Sequence, residues 1–321
     1  MQEKEWGLNK PGAALSDRPV RILRYHIKKE EEGLTVREYL NKKVKLSNHQ
    51  ISSLKFRADG IVVNGRTRRV TCVLQEGDLL QIGLKEAGNS YLLPGEFKEP
   101  PEILYEDEDM LIVNKVRGMV CHPSPGHYAD SLANQVAFYA QSKKEDWTIR
   151  LIGRLDSDTS GVLLFAKNSE TAALLTKQRE EGEMKKSYLA LCKGVIEEEC
   201  GQVDIPISRD ENRLGKMISD PNGKSAKTFY RVLEREEDSC LLDIKIEHGR
   251  THQIRVHMAY AGHPLIGDPF YGDGIEGRDH TLLHAYTLSF IHPFLEKRIE
   301  IKAPIPKDML SYIKGPLEGK R

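Results

Sequence analysis

The sequence contains no run of about twenty apolar residues, the length that a membrane-spanning helix needs. Its first residues, MQEKEWGLNKPGAALSD, carry charges and a Pro-Gly pair where a secretory signal would have its apolar centre. These absences argue against a membrane-spanning helix and a secretory signal. They predict a soluble, cytoplasmic protein with no membrane partner.

Cysteine is also scarce, with five residues in 321. The number is odd, the positions are scattered and none forms a C-x-x-C pair, so neither a disulfide framework nor a zinc site is expected. They are expected to be small core residues instead. The five are Cys72, Cys121, Cys192, Cys200 and Cys240.

Glycine-rich phosphate loops are missing as well. No G-x-G-x-x-G follows a predicted strand, and no G-x-x-x-x-G-K-[ST] occurs anywhere in the chain. A nucleotide cofactor is therefore not expected, and nothing in the sequence calls for any other cofactor.

The chain carries no net charge, with 48 basic and 48 acidic residues, but the charges are unevenly distributed. Residues 22–84 hold twelve Lys and Arg against seven Asp and Glu, a net charge of +5, and residues 1–21 add +1. Residues 85–321 therefore carry −6. A small basic module joined to a larger acidic body is predicted, and basic clusters of this kind are typical of nucleic-acid binding.

The basic module has a readable order of elements. Two capping boxes, Thr35 with Glu38 and Ser47 with Gln50, predict two short helices, and Leu46 is placed to pack on Ile51. An Asn-Gly turn at residues 64–65 then joins two strands, and the LLQI strand follows. This order resembles the small RNA-binding module of a small-subunit ribosomal protein, whose basic face would contact RNA phosphates. The candidate contacts are Lys42, Lys43, Lys45, Arg57, Arg68 and Arg69, and the alternative is an ordinary solvated helix face with surface lysines.

Beyond this module the chain mixes helices with many strands. Leu132, Val136, Tyr139 and Ala140 recur at helical spacing, and a second helix is predicted from about Ser169 to Glu181. Five later segments alternate or run apolar, which predicts an α+β fold with a mixed, largely antiparallel sheet and flanking helices. The predicted divisions are a leader (1–21), a small basic RNA-binding domain (22–84), a Gly/Pro-rich linker (85–101), a catalytic domain (102–312) and a tail (313–321).

The most informative stretch is GRLDSDTSGVLLFAK, residues 153–167. Its apolar run, Val162 to Ala166, is typical of a strand buried on both faces. Arg154, Asp156 and the Asp-Thr-Ser that follows would sit in the loop before this strand. Taken alone, the loop could equally be a surface turn with local hydrogen bonds and an exposed Arg154–Asp156 pair.

Neighbouring motifs favour the functional interpretation. The stretch resembles the R-L-D-x-x-T-S-G signature of the RluA/RluD type of RNA pseudouridine synthase, and four other blocks occur in that family's order. The chain departs from the pattern at Val116, where Pro is frequent, at Gly153, where His is frequent, and at Ser157, where Arg is frequent. The four blocks are Tyr105–His127, Lys185–Leu191, Gly249–Gly272 and Leu282–Pro293.

The resemblance implies a pseudouridine synthase fold and assigns roles to particular residues. Asp156 takes the place of the catalytic carboxylate. Tyr188 would lie over the uracil and help to remove the C5 proton, although position alone would also suit an ordinary tyrosine at the edge of the core. Arg154 would fill the space left by the flipped-out base and contact phosphates.

Two further residues are expected to complete the pocket. A carboxylate in a partly dry pocket needs a nearby positive charge to remain ionised, and Arg255 is predicted to lie at hydrogen-bond distance from Asp156. Ile254 would form the floor. His248, His252 and His257 invite a metal interpretation, but we interpret GRTHQIRVH as a strand, whose alternate residues face opposite sides, and expect no metal.

These observations predict an isomerase that converts uridine to pseudouridine in structured RNA, most of all large-subunit ribosomal RNA. Transfer RNA is the alternative substrate. A non-catalytic RNA-binding factor for ribosome assembly is the alternative outside the enzymes. RNA is the expected partner, and the protein is expected to act as a monomer without a bound nucleotide.

Overall fold

The computed structural model describes residues 21–55, 60–84, 92, 94–145, 147–272, 280–315 and 317. Residues 1–20, residues 85–91 and 93 of the predicted linker, and Arg57 lie outside this description. The chain divides into two compact units, with the boundary between residues 87 and 88 and the segment 41–46 grouped with the larger unit. Within the described residues, no helix is long and apolar enough to cross a membrane.

The smaller unit contains a four-stranded antiparallel sheet in the order β1-β4-β2-β3. The tight turn between β2 and β3 is the predicted Asn64-Gly65 pair, and both residues have positive φ, at 51° and 74°. Two consecutive positive φ angles match the twist of the flanking strands, which is why Asn-Gly is favoured there. The strands are β1 (Arg21–His26), β2 (Ile61–Val63), β3 (Arg66–Thr67) and β4 (Leu79–Leu84).

Both short helices predicted from capping boxes are present, α1 (Val36–Lys42) and α2 (Asn48–Leu54). The side chain of Glu38 accepts a hydrogen bond from the Thr35 N–H at 2.9 Å, and the Ser47–Gln50 pair forms the same reciprocal arrangement. Each cap satisfies backbone N–H groups that a helix cannot satisfy internally. Local sequence therefore determined where these helices begin.

The larger unit is built on one mixed sheet in the order β10-β13-β14-β9-β15-β8-β6-β5, with β16 beside β15 and β7 beside β8. Only the pairing of β15 with β8 is parallel among its described ladders, so the predicted largely antiparallel α+β sheet is confirmed. The strands are β5 (Glu102–Glu106), β6 (Met110–Lys115), β7 (Arg150–Ile152), β8 (Ser160–Ala166), β9 (Lys185–Lys193), β10 (Cys200–Asp204), β13 (Lys227–Arg235), β14 (Ser239–Ile246), β15 (Leu283–Ile291) and β16 (Arg298–Lys302), while β11 (Ile207–Arg209) and β12 (Met217–Ser219) form a separate hairpin.

Four described helices belong to this unit. The two predicted from periodicity are α3 (Leu132–Ser142), which begins at a Ser131–Asn134 capping box, and α4 (Ser169–Glu180). Two more follow the sheet's later strands, α5 (Gln253–Tyr260) and α6 (Lys307–Leu310). The four apolar positions that predicted α3 are all buried in the core of the unit.

The interpretation of GRTHQIRVH as a strand is wrong, because Gln253 to Tyr260 form a helix. Six consecutive residues, Gln253 to Met258, are buried. A helix buried all round has no polar face, so its sequence lacks the amphipathic 3.6-residue period. The alternation of Ile254, Val256 and Met258 with polar residues therefore imitated a strand.

Strand β8 is the predicted apolar run, and all seven of its residues are buried. It lies between β15 and β6 in the sheet, so both of its edges are hydrogen-bonded. At Gly161, φ is +111°, and an added Cβ would lie 2.2 Å from the carbonyl oxygen of Ala285 on the neighbouring strand. Only glycine permits this close parallel approach of β8 and β15.

We expect Gly161→Ala to lower the free energy of unfolding by roughly 2 to 5 kcal/mol, from the positive φ together with the clash against the Ala285 backbone. Gly182→Ala is the matched control, since Gly182 has φ +70° but an added Cβ there meets nothing within 4 Å. The control should cost about 1 to 2 kcal/mol. Denaturant titration of both variants measures their free energies of unfolding. Equal losses in the two variants would contradict a steric role for Gly161.

Candidate active site

A cleft opens in the larger unit beside the loop that precedes β8. Three parts of the fold form its walls: the loop at residues 154–159, the strand β9 and the turn that leads from β14 into α5. Apolar residues from β14, α5 and β15 complete it. The lining residues are Arg154, Leu155, Asp156, Thr159, Tyr188, Ile246, Gly249, Arg250, Thr251, Gln253, Ile254, Arg255 and Leu283.

The backbone of the Asp156 loop is held from both sides. The Cys121 thiol accepts a hydrogen bond from the Leu155 N–H at 3.3 Å and donates to the Leu155 carbonyl at 3.1 Å. The Ser157 carbonyl accepts from the Lys115 ammonium at 2.7 Å and from the Gly118 N–H at 3.0 Å. Asp156 is thus flanked by two anchored residues, which fix where its half-buried carboxylate lies.

Lys115, which the sequence analysis did not single out as a site residue, anchors the Asp156 loop. Its side chain at the end of β6 is fully buried, and its ammonium donates to the carbonyls of Val116 and Ser157. Burial lowers the pKa of Lys115 to about 8, against the favourable fields of Cys121, Asp158 and Asp156. The Lys-Val pair noted as a departure from the family pattern therefore retains the lysine, and Val116 is exposed.

Tyr188 lies within the cleft wall on β9 and is only 6% exposed. Burial raises the pKa of its phenol well above the usual range, and the nearby Asp156 carboxylate raises it further. Tyr188 therefore keeps its proton at neutral pH. It presents a neutral aromatic ring beside the carboxylate.

Arg255 lines the cleft, but its hydrogen-bond partner is not the predicted one. Its Nε and one terminal nitrogen donate to the two carboxylate oxygens of Asp268, each at 2.7 Å. Both side chains are buried, with exposed fractions of 4% and 0%. Asp268 also accepts from the N–H groups of Phe270 and Tyr271, so the loop after α5 folds around this carboxylate.

The expectation that Arg255 is hydrogen-bonded to Asp156 is thus replaced by a bidentate pair with Asp268. Planar guanidinium and carboxylate groups match best in this geometry, and a buried cation requires such a match. Asp156 still acts at longer range, because it is among the charges that, with the Asp268 hydrogen bond, raise the pKa of Arg255. Arg255 therefore contributes positive potential to the cleft while its hydrogen bonds are committed elsewhere.

The remaining predicted residues fall in two places. Arg154 is exposed at the cleft, and Ile254 lines it with an exposed fraction of 5%. The predicted phosphate contacts of the basic module are exposed wherever they are described. These are Lys42, Lys43, Lys45, Arg68 and Arg69.

Two of the three histidines considered for a metal, His252 and His257, form other hydrogen bonds, and among the described residues none of the three belongs to a group with metal-ligand spacing. His257 is hydrogen-bonded to the Thr228 hydroxyl and the Ile205 carbonyl, each at 2.9 Å, and His252 to the Tyr271 hydroxyl at 2.9 Å. Among the described residues, the only group with metal-ligand spacing is Asp107, Asp109 and His292. Asp107 there accepts hydrogen bonds from His292 and Tyr105, which suits a structural cluster.

We expect Arg255→Met to lower the free energy of unfolding by roughly 3 to 5 kcal/mol, because it leaves the buried Asp268 charge without its partner. Adding Asp268→Asn should recover most of that loss, since the amide oxygen still accepts from the loop N–H groups. The matched cycle is Arg255→Met with Asp156→Asn, whose losses should add. Chemical denaturation of these variants measures both cycles. Strong coupling to Asp156 instead of Asp268 would contradict the observed pairing.

Comparisons with known proteins agree with this geometry. A family model described as RNA pseudouridylate synthase matches residues 109–260. The chain is 37% identical to "Uncharacterized RNA pseudouridine synthase YjbO" of Bacillus subtilis (strain 168), over 88% of this chain and 99% of that protein. It is 33% identical to "Ribosomal large subunit pseudouridine synthase D" of Xanthomonas campestris pv. campestris, over 77% of this chain and 78% of that protein.

A solved structure shows the same fold. Human RNA Pseudouridylate Synthase Domain Containing 1 superimposes with a TM-score of 0.54 and 29% identity, over 65% of this chain and 84% of that chain. The family-model match spans the Asp156 loop, Tyr188 and Arg255, which are residues that line the cleft. The chain belongs to the RNA pseudouridine synthase family.

Proposed function

We propose that the enzyme isomerises uridines of large-subunit ribosomal RNA, with Asp156 as the catalytic carboxylate. The observation that carries the proposal is one half-buried carboxylate, held by an anchored loop, in a cleft shared with Tyr188 and Arg255. Relatives named for the ribosomal large subunit support the substrate class. Ribosomal RNA as substrate would place the enzyme in the cytoplasm.

The reaction breaks the N1–C1′ bond of uridine, turns the uracil and joins C5 to C1′, and a proton leaves C5 while one returns to N1. Substrate and product are isomers. A single carboxylate suits this task, either as a nucleophile at C1′ or as an acceptor of a ribose proton. Among the described residues that line the cleft, Asp156 is the only carboxylate, whereas hydrolysis of a glycosidic bond normally uses two.

Asp156 must remain ionised for either role. Arg255 and Arg154 in the cleft lining and the buried Lys115 behind the loop backbone supply positive potential, and in the part of the chain that the structure describes none of these side chains is hydrogen-bonded to the Asp156 carboxylate. The carboxylate oxygens therefore remain available to the sugar.

Tyr188 suits a stacking role for the flipped uracil, since its ring is held rigidly on β9 and keeps its proton. A protonated phenol is a poor base, so removal of the C5 proton by Tyr188 would require the phenol first to pass its own proton to another group. Ile246, Ile254 and Leu283 supply apolar walls that limit water near the detached base. Arg154, exposed at the rim, is placed to support the extruded nucleotide.

We expect Asp156→Asn to abolish pseudouridine formation and to leave RNA binding within a few-fold, because the change removes the carboxylate chemistry and little volume. Asp158→Asn, the same change two residues further along the loop, should keep most of the activity. Release of tritium from C5-labelled uridine in ribosomal RNA measures both. Turnover by the Asp156 variant near that of wild type would refute the assignment of Asp156 as the catalytic carboxylate.

The substrate is tested by mapping pseudouridine in cellular RNA with and without this protein. Sites that disappear from ribosomal RNA support the proposed substrate, and sites that disappear from transfer RNA support the alternative.

The smaller unit is proposed to bind RNA phosphates through its exposed basic side chains. Arg68 and Arg69 follow β3 and are both exposed. Each cation that contacts a phosphate releases counterions on binding, which makes affinity fall with salt. The unit would therefore add affinity without selecting a sequence.

We expect Arg68→Gln with Arg69→Gln to reduce the log–log slope of RNA affinity against salt by about 1.4 to 1.8 if both contact phosphates. Lys297→Gln with Arg298→Gln is the control, because it removes the same charge at the β16 end of the larger unit, opposite Ile291 and distant from Leu283 in the cleft. Titrations at several salt concentrations compare the two. An unchanged slope in the first variant would show that these arginines do not contact the backbone.

A further inference from the structure

His252 occupies an unusual position beside the cleft. It is the residue before α5, and its backbone is left-handed, with φ 54° and ψ 19°. Positive φ is uncommon for residues other than glycine and is shared by four other described residues of this chain, and positions of this kind are enriched at functional sites. Its neighbours on both sides, Thr251 and Gln253, line the cleft.

The hydrogen bonds around His252 favour one of its tautomers. The Tyr271 oxygen accepts from the Met217 N–H at 2.8 Å and lies 2.9 Å from His252 Nδ1. Burial raises the pKa of Tyr271, so the phenol keeps its proton, and His252 Nδ1 is the acceptor placed to receive it. This arrangement favours the neutral tautomer of His252 whose ring proton is on Nε2.

Burial favours the neutral form of His252, and the ring lies near the charged groups of the cleft. Burial lowers the pKa of His252, and the nearby Asp156 carboxylate opposes that shift while Arg255 and Arg154 add to it. His252 thus lies within electrostatic reach of three residues that line the cleft. Within the described part of the chain, its Nε2 has no hydrogen-bond partner.

We propose that His252 contacts the substrate, with its Nε2–H donating a hydrogen bond to an oxygen of the nucleotide bound at Asp156. This inference rests on the Asp156 cleft being the active site. A neutral donor of fixed direction suits either a uracil carbonyl, which gains negative charge when the N1–C1′ bond breaks, or a phosphate oxygen of the same nucleotide. Tyr271 is the positioning residue that orients the ring.

Two substitutions separate this role from a structural one. His252→Asn keeps an acceptor near Nδ1 for Tyr271 and tolerates the left-handed backbone, but it has no donor at Nε2. His252→Gln places an amide donor near Nε2 but loses the acceptor and fits the backbone less well. A structural histidine predicts that Asn is the better replacement, whereas a substrate contact predicts Gln.

We expect His252→Asn to fold with the denaturation midpoint of wild type and to lose at least about tenfold in kcat/KM, equivalent to about 1.4 kcal/mol. His252→Gln should be less stable yet more active than the Asn variant. A lower kcat would identify the uracil carbonyl, because that hydrogen bond strengthens in the transition state. A higher KM with unchanged kcat would identify the phosphate. The assay is C5-tritium release from ribosomal RNA by the full chain.

Full activity of the Asn variant, or a Gln variant no more active than Asn, would overturn the proposal. If neither variant folds, Tyr271→Phe decides: the proposal requires kcat/KM to fall several-fold in the folded enzyme, and wild-type turnover refutes it. Asp156→Asn is measured in the same assay. Turnover by that variant would refute the cleft itself, whereas an inactive Asp156 variant beside a fully active His252→Asn would refute only the role of His252.

Discussion

The burial of β8 on both faces is the constraint on which the site depends. The five apolar residues Val162–Ala166 are all buried, and the polar residues of the motif, Asp156 among them, lie in the loop before this run and at its entry. The parallel pairing with β15 requires Gly161 and brings Leu283 and Tyr188 to the same end of the sheet. The sheet thereby sets the distance between the carboxylate and the aromatic ring.

The loop itself is positioned by two buried side chains that do not line the cleft, Cys121 and Lys115. Cys121 engages both backbone groups of Leu155, and the buried Lys115 engages the Ser157 carbonyl. A buried ammonium is expensive, and here two carbonyls and the nearby carboxylates offset that cost. Such anchors hold a catalytic group close to its working geometry before the substrate arrives.

In the cleft, the group that binds Arg255 is different from the group on which its charge acts. Asp268 neutralises and orients Arg255 through two hydrogen bonds, and Arg255 then acts on Asp156 only through its field. The same loop carries Tyr271, which connects the β11–β12 hairpin at Met217 to His252. Cations also lie over these rings, since Arg213 packs on Phe270 and Lys216 on Tyr271. The hairpin is therefore physically linked to the cleft.

The sequence by itself determined what depends on local patterns. Capping boxes determined the starts of α1 and α2, the Asn64-Gly65 turn determined its hairpin, and the apolar run determined β8, because each signal acts within a few residues. The choice of partner for Arg255, the buried anchors of the Asp156 loop and the helical state of residues 253–260 were decided only by tertiary structure. Burial on all sides erased the periodicity of that helix, and a guanidinium takes whichever carboxylate the folded backbone brings into bidentate geometry.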